Sequence, residues 1–130
     1  MHEFSTAISI VETVLKSSST SGATKVLSIQ LEIGELTFLN PEQLKFWILE
    51  GFKKTLAEGA KLRIRRVKPH IICNQCTFRG SLKLNSDPVY HFLLPVFACP
   101  SCGSGDISLR RGRECRIRRI QILKEDEGEA

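Results

Sequence analysis

The chain has 130 residues, 42% of them hydrophobic and 25% charged, with a formal net charge of +5. That balance suits one globular core, with or without a small satellite, and excludes whole-chain disorder, fibrous classes and a conventional multi-domain enzyme. The longest apolar run, residues 92–99, contains Pro95 and falls far short of the ~20 residues that span a bilayer; no secretory signal is legible, so a cytoplasmic location is expected.

The first element reads as a helix. Phe4, Ala7, Ile8, Val11, Val14 and Leu15 recur at helical spacing, with Ser5, Ser9, Glu12, Thr13 and Lys16 opposite, and the serine-rich run 17–22 ends it. Leu27, Ile29, Leu31 and Ile33 then alternate with Ser28, Gln30 and Glu32, which predicts a half-buried strand closed at Gly34. Asn40-Pro41-Glu42-Gln43 is a helix start, with Asn40 as N-cap and Pro41 at the first helical position. Leu44, Trp47, Ile48, Phe52 and Leu56 give that helix its apolar stripe, with Gly59 just past its end.

A basic strand follows, with Leu62 and Ile64 inward and a break in alternation at Val67; Pro69 ends its regular pairing. Residues 71–107 carry few core candidates (Phe78, Leu82, Leu84, Phe92, Phe97), too few to fold alone, so a metal must supply much of the folding energy there. Cys115, Ile117, Ile120 and Ile122 form a last strand, also with a phase break. Pairing the two basic strands with each other makes the cysteine-bearing segment an insertion from one end of a small sheet. The expected fold class is α/β (α+β): a small three-stranded sheet, two helices and an inserted zinc-ribbon-like module. The expected domains are 1–69 with 111–124, an inserted module over 70–110, and an acidic tail over 125–130.

Four of the five cysteines form two pairs, Cys73-Asn-Gln-Cys76 and Cys99-Pro-Ser-Cys102, with 22 residues between them. An odd count argues against a disulfide framework, and a redox CxxC usually comes singly at the start of a helix. Two pairs at this spacing fit one Zn(II) held by four thiolates, with Gly103 supplying a permissive turn. Four thiolates leave no position for substrate water, so the ion is structural and no enzyme activity is expected. Cys115 reads as a small buried hydrophobe. Binding zinc lowers the formal charge from +5 to +3, because four thiol protons leave and a dication arrives. The basic groups cluster at 61–68 and 110–124, but no aromatics are interleaved for base stacking, so solvated strand faces are favoured over a nucleic-acid footprint.

The N-terminus reads Met1-His2-Glu3. A bulky second residue opposes removal of the initiator Met, so Met1 is expected to keep a free amine. That amine, the His2 amide and the His2 Nδ1 can close adjacent chelate rings, and planar nitrogen donors suit Ni(II) or Cu(II).

Taken as an ordered set, Met-His-Glu, Ile33-Gly34-Glu35-Leu36, Glu58-Gly59-Ala60, Cys73-x-x-Cys76 and Cys99-Pro-x-Cys102-Gly103-Ser104 resemble the HypA/HybF family of nickel metallochaperones over about residues 1–123. The resemblance implies a nickel site at Met1 and His2 with Glu3 adjacent, and structural zinc on Cys73, Cys76, Cys99 and Cys102. It implies delivery of Ni(II) during hydrogenase maturation, with urease an alternative target. The implied partners are a nickel-dependent GTPase and the hydrogenase large subunit, with no membrane and no nucleic acid. The fourth nickel ligand stays open between the Glu3 amide, His91 and another group; His70 reads as a strand-end surface residue. The rival reading is a zinc-ribbon nucleic-acid-binding or transcription-associated protein.

Overall fold

The structure is a computed structural model, and it describes residues 2–82 and 97–125. Leu84, His91, Phe92, the start of the apolar run and most of the acidic tail lie outside the described residues, as does Met1. The chain divides into two compact units. The first comprises Met1–Glu32, Leu39–Arg65 and Cys115–Ala130; the second comprises Ile33–Phe38 and Arg66–Glu114.

Helix α1 spans Glu3–Thr20. It outlasts the expected stop at Ser17 because serine and threonine still sustain the turn, Thr20 Oγ1 donating to the Lys16 carbonyl, until Gly22 turns the chain at φ 77°. Its buried stripe is Ala7, Ile10, Val14 and Ser18: Ala7 and Val14 are buried as expected, whereas Phe4 and Ile8 are 52% and 43% exposed. Strand β1 (Ala23–Gly34) buries Ile29, Leu31 and Ile33 as the alternation requires, but Val26 is buried in place of Leu27, so the phase slips at the strand's start.

A 3-10 turn at Glu35–Thr37 leads to α2 (Pro41–Phe52). Asn40 caps α2 as its position predicts: Oδ1 accepts from the N–H groups of Glu42 at 3.0 Å and Gln43 at 3.2 Å. The helix stops at Phe52, short of Leu56 and well before Gly59. Lys54 adopts φ 63°, and Thr55 meets the Phe52 carbonyl through both its N–H and its hydroxyl. Gly51 lets the helices approach, since a Cβ there would stand 2.8 Å from Val11 Cγ2.

Strands β2 (Lys61–Val67) and β6 (Cys115–Lys124) complete the sheet in the order β2-β1-β6. The two basic strands therefore do not pair with each other; each flanks β1, the least charged of the three. Charge on edge strands discourages further pairing, whereas a central strand is covered on both sides. One face carries Ile29 and Leu31, and the first unit's core fills with Val14, Leu44, Ile48 and Phe52, each no more than 1% exposed. The opposite face carries Glu32, 5% exposed, between Arg65 and Arg116 of the neighbouring strands, each 3.8 Å away.

In the second unit β3 (His70–Cys73) is central, antiparallel to β4 (Arg79–Ser81) and β5 (Ile107–Arg111), with a register shift between His70 and Ile71. Ile33–Phe38 joins this unit through Gly34 N–H to the Glu114 carbonyl (2.7 Å) and Leu36 N–H to the Gly112 carbonyl (2.8 Å). Gly34 is required there, because a Cβ would fall 2.1 Å from the Gly112 oxygen. The architecture is mixed α+β, two helices with small sheets, and the second unit carries the paired cysteines.

Candidate metal centres

Strand β3 delivers Cys73 to the end of the second sheet, where the chain turns through Asn74 and Gln75 to Cys76. The Cys73 sulfur accepts from the N–H groups of Gln75 (3.4 Å) and Cys76 (3.5 Å); the Cys99 sulfur accepts from Ser101 N–H (3.4 Å). Each turn is closed by a left-handed residue directly after its second cysteine, Thr77 at φ 65° and Gly103 at φ 78°. Gly103 was legible as such a residue; Thr77 does the same work without being glycine.

The four sulfurs of Cys73, Cys76, Cys99 and Cys102 lie within 4.8 Å of one another, with Cys73–Cys102 at 3.6 Å and Cys76–Cys99 at 3.5 Å. A tetrahedral zinc ion with Zn–S bonds of about 2.3 Å sets sulfur–sulfur edges of about 3.8 Å, so the cage fits Zn(II). Cys73 and Cys99 are buried, Cys76 is half-buried and Cys102 exposed. Burial pushes the Cys99 thiol up, but the N–H groups of Cys102 and Ser101 and the thiols of Cys76 and Cys102 outweigh it and bring it down to about 7. At Cys102 the Ser104 N–H acts downward, yet Cys76, burial, Cys73 and Cys99 together push it up to about 12. A metal entering the cage must displace the thiol protons.

Cys115 belongs to the first unit. It is half-buried, and burial pushes its thiol up; with Ile117 it lines a groove against Thr6, Ile10 and Thr13 of α1. This agrees with packing as its role.

At the N-terminus His2 is exposed, in extended conformation (φ −104°, ψ 136°), and caps α1, its carbonyl accepting from Thr6 N–H at 3.0 Å. Glu3 opens the helix, and its carboxylate accepts the Asn40 N–H at 3.0 Å. That N–H holds the Glu3 carboxyl below the usual range, against a smaller upward push from burial. The contact ties the start of α1 to the cap of α2, a link that nothing in the residue pattern announces. Phe4 packs edge-on against Trp47 beside it, with ring centroids 4.9 Å apart.

The chain matches the family model described as hydrogenase/urease nickel incorporation, metallochaperone, hypA over residues 1–122. It is 40% identical over 126 residues to the hydrogenase maturation factor HypA of Methanothermobacter thermautotrophicus, covering 97% of this chain and all of that one. It is 41% identical over 131 residues to the protein of the same name from Methanococcus aeolicus, covering 98% and 100%. The solution structure of the Ni metallochaperone HypA from Helicobacter pylori shares the fold, with a TM-score of 0.66 at 21% identity over 96% of this chain and all of that one. With the match running from the N-terminal residues through both cysteine pairs, the chain belongs to the HypA family of hydrogenase/urease nickel-incorporation metallochaperones.

Proposed function

We propose that this chain carries Ni(II) on the Met1 amine, the His2 amide and the His2 imidazole, and delivers it during maturation of [NiFe] hydrogenase. The observation that carries this reading is the exposure of His2 at the head of α1, one residue from the terminus. A carrier must release what it binds, and an exposed chelate gives up its donors one at a time to an incoming ligand. The Glu3 carboxylate is engaged by Asn40, so its side chain steadies the terminal turn, while its amide is among the first helical N–H groups that the helix itself does not use. That amide is our choice for the fourth donor. Every donor loses a proton on binding or must stay unprotonated, so nickel affinity falls as pH falls.

The cage of Cys73, Cys76, Cys99 and Cys102 holds structural Zn(II), which supplies folding energy to its module and no chemistry. We take residues 70–110 as that module, inserted into a nickel-binding domain of 1–69 and 111–124 and followed by an acidic tail. The partners are a nickel-dependent GTPase of the hydrogenase maturation pathway and the hydrogenase large subunit, and the chain transfers metal without catalysing a reaction. We place this work in the cytoplasm; no described helix is long and apolar enough to cross a membrane. Against the nucleic-acid rival stands the family match, and Glu32, a buried carboxylate, already faces Arg65 and Arg116 of the basic strands.

Titration calorimetry with Ni(II) tests the reading on three proteins: the native chain, His2→Ala, and the chain with a short N-terminal extension. Losing a ligand should cost more than the ~10–100-fold that losing a ligand's hydrogen-bond partner costs. The extension should do nearly the same, by turning the amine into an amide. Unchanged affinity in both variants would refute the site.

A further inference from the structure

The two cysteine turns are joined by more than the metal they would share. Asn74 and Gln75, the residues between Cys73 and Cys76, both reach to one carboxylate beyond the second turn. Asn74 Nδ2 donates to Asp106 Oδ1 at 3.0 Å, and Gln75 Nε2 donates to Asp106 Oδ2 at 3.2 Å. The backbone repeats the link: Asn74 N–H donates to the Asp106 carbonyl at 2.9 Å. Asp106 is in turn fixed to its own turn, its N–H donating to Ser104 Oγ at 3.0 Å, and Asn74 Nδ2 also reaches Ser108 Oγ at 3.3 Å. One residue thus clasps the Cys73–Cys76 turn to the segment that follows Cys102.

The geometry of the two metals gives this clasp a consequence. Zn(II), with a filled d shell, accepts the tetrahedron that its ligands offer, whereas Ni(II) favours a planar or tetragonal set. Raw affinity alone does not exclude nickel from a divalent-metal site; ligand type and geometry do, and geometry is the part the fold can enforce. Each turn contributes two sulfurs, so converting the tetrahedron to a plane is a twist of about 90° of one turn against the other. Bonds that cross from one turn to the other resist that twist, and those bonds converge on Asp106.

We propose that Asp106 is a specificity-determining positioning residue, which locks the two cysteine turns in tetrahedral relation and so closes the structural site to the nickel that the protein carries. The inference rests on the zinc reading above and adds to it a reason why cargo and structural metal do not exchange.

The test uses the zinc-loaded full chain and its Asp106→Ala, Asp106→Asn and Gln75→Ala variants. Each is challenged separately with excess Ni(II) and with a chelator such as EDTA, while released zinc is measured. Sulfur-to-nickel charge-transfer absorption reports nickel entering the cage and is blind to nickel on the all-nitrogen N-terminus. The native chain should keep its zinc against nickel. Asp106→Ala should lose it several-fold faster with the new absorption, less than the ~10–100-fold that losing a ligand's own hydrogen-bond partner costs in affinity, because the clasp is exposed and acts one residue away from the ligands. Asp106→Asn retains an acceptor for Asn74 and should fall between; Gln75→Ala should resemble it, and these two carry the test if Asp106→Ala does not fold. The diagnostic is the ratio of the two challenges, because the nickel challenge should accelerate more than the chelator challenge. Equal acceleration by both would reduce Asp106 to a general brace and overturn the proposal, as would no acceleration in any variant. A native chain that holds no zinc would overturn this proposal and the zinc reading together.

Discussion

Cys76→Ser is the most informative single change to the cysteine cage. Among the described residues of the second unit, the buried apolar side chains other than the two ligands Cys73 and Cys99 are Ile33, Pro69, Ile71 and Leu82. Burying four apolar side chains is worth roughly 6–12 kcal/mol. A structural zinc ion contributes about 10–16 kcal/mol in small zinc modules. The metal therefore outweighs the apolar burial, and a serine hydroxyl, which stays protonated near neutrality, cannot replace the missing thiolate. The expected result is loss of most bound zinc and of amide protection across Ile71–Leu109 and Ile72–Ser108, the pairs that join β3 to β5. Protection at Val14, Ile29 and Ile48 in the first unit should survive, because their burial needs no metal. Hydrogen exchange read by mass spectrometry or NMR, beside zinc content, decides the matter. Full zinc and unchanged protection in the second unit would refute the reasoning, and simultaneous loss in both units would refute the independence of the first core.

Gly34→Ala should cost about 3 kcal/mol or more in denaturant unfolding, since its Cβ would meet the backbone of Gly112 and Arg113, which cannot rotate aside; a change below 1 kcal/mol would show that the segments part freely. Cys115→Ala should leave both metals in place and lower stability by about 1 kcal/mol, and metal analysis showing loss of either would contradict its packing role. Glu3→Gln should remove the pH dependence that Glu3 confers. Its carboxyl titrates lower in the folded state, so its contribution is present above the unfolded carboxyl pKa and is lost as pH falls through the folded one. Unfolding curves across that acid range should converge for the two proteins, and a gap that widens with acidity would reverse the assignment.

Patterns that depend on residue type alone were legible. The paired cysteines, Asn40-Pro41 as a helix start and the inward Ile29, Leu31 and Ile33 follow from spacing, capping chemistry and alternation, and the structure has them so. What failed was phase and order. The buried face of α1 is rotated from the expected stripe: Ala7 and Val14 are common to both, Ile10 and Ser18 join them, and Ser18 is a small polar residue that no hydrophobic pattern selects. Phe4 and Ile8 then remain exposed at the α1–α2 groove beside Trp47. The basic strands announced themselves as a pair but are the two edges of a sheet, because similar charge marks similar exposure rather than mutual contact. The tie from Glu3 to Asn40 and the clasp at Asp106 join residues 37 and about 30 positions apart, and no local pattern encodes a partner at that distance.

Carrying one metal while being built on another poses a selectivity problem that the donor sets address from opposite directions. At the proposed nickel site, exchange of the nitrogen donors would need only local motion, because His2 is exposed and its carbonyl is what the first turn of α1 engages. The sulfur site is the reverse. Two of its ligands are buried, and its turns are closed by left-handed residues and crossed by side-chain amides. Opening it costs folding energy, because the same sulfurs that hold the ion form much of what is buried around it. Release is therefore cheap where the chain loses no fold and expensive where it does. On the nickel site proposed above, that difference in cost, more than any difference in affinity, is what would let one small protein hand over nickel while keeping the zinc that shapes it.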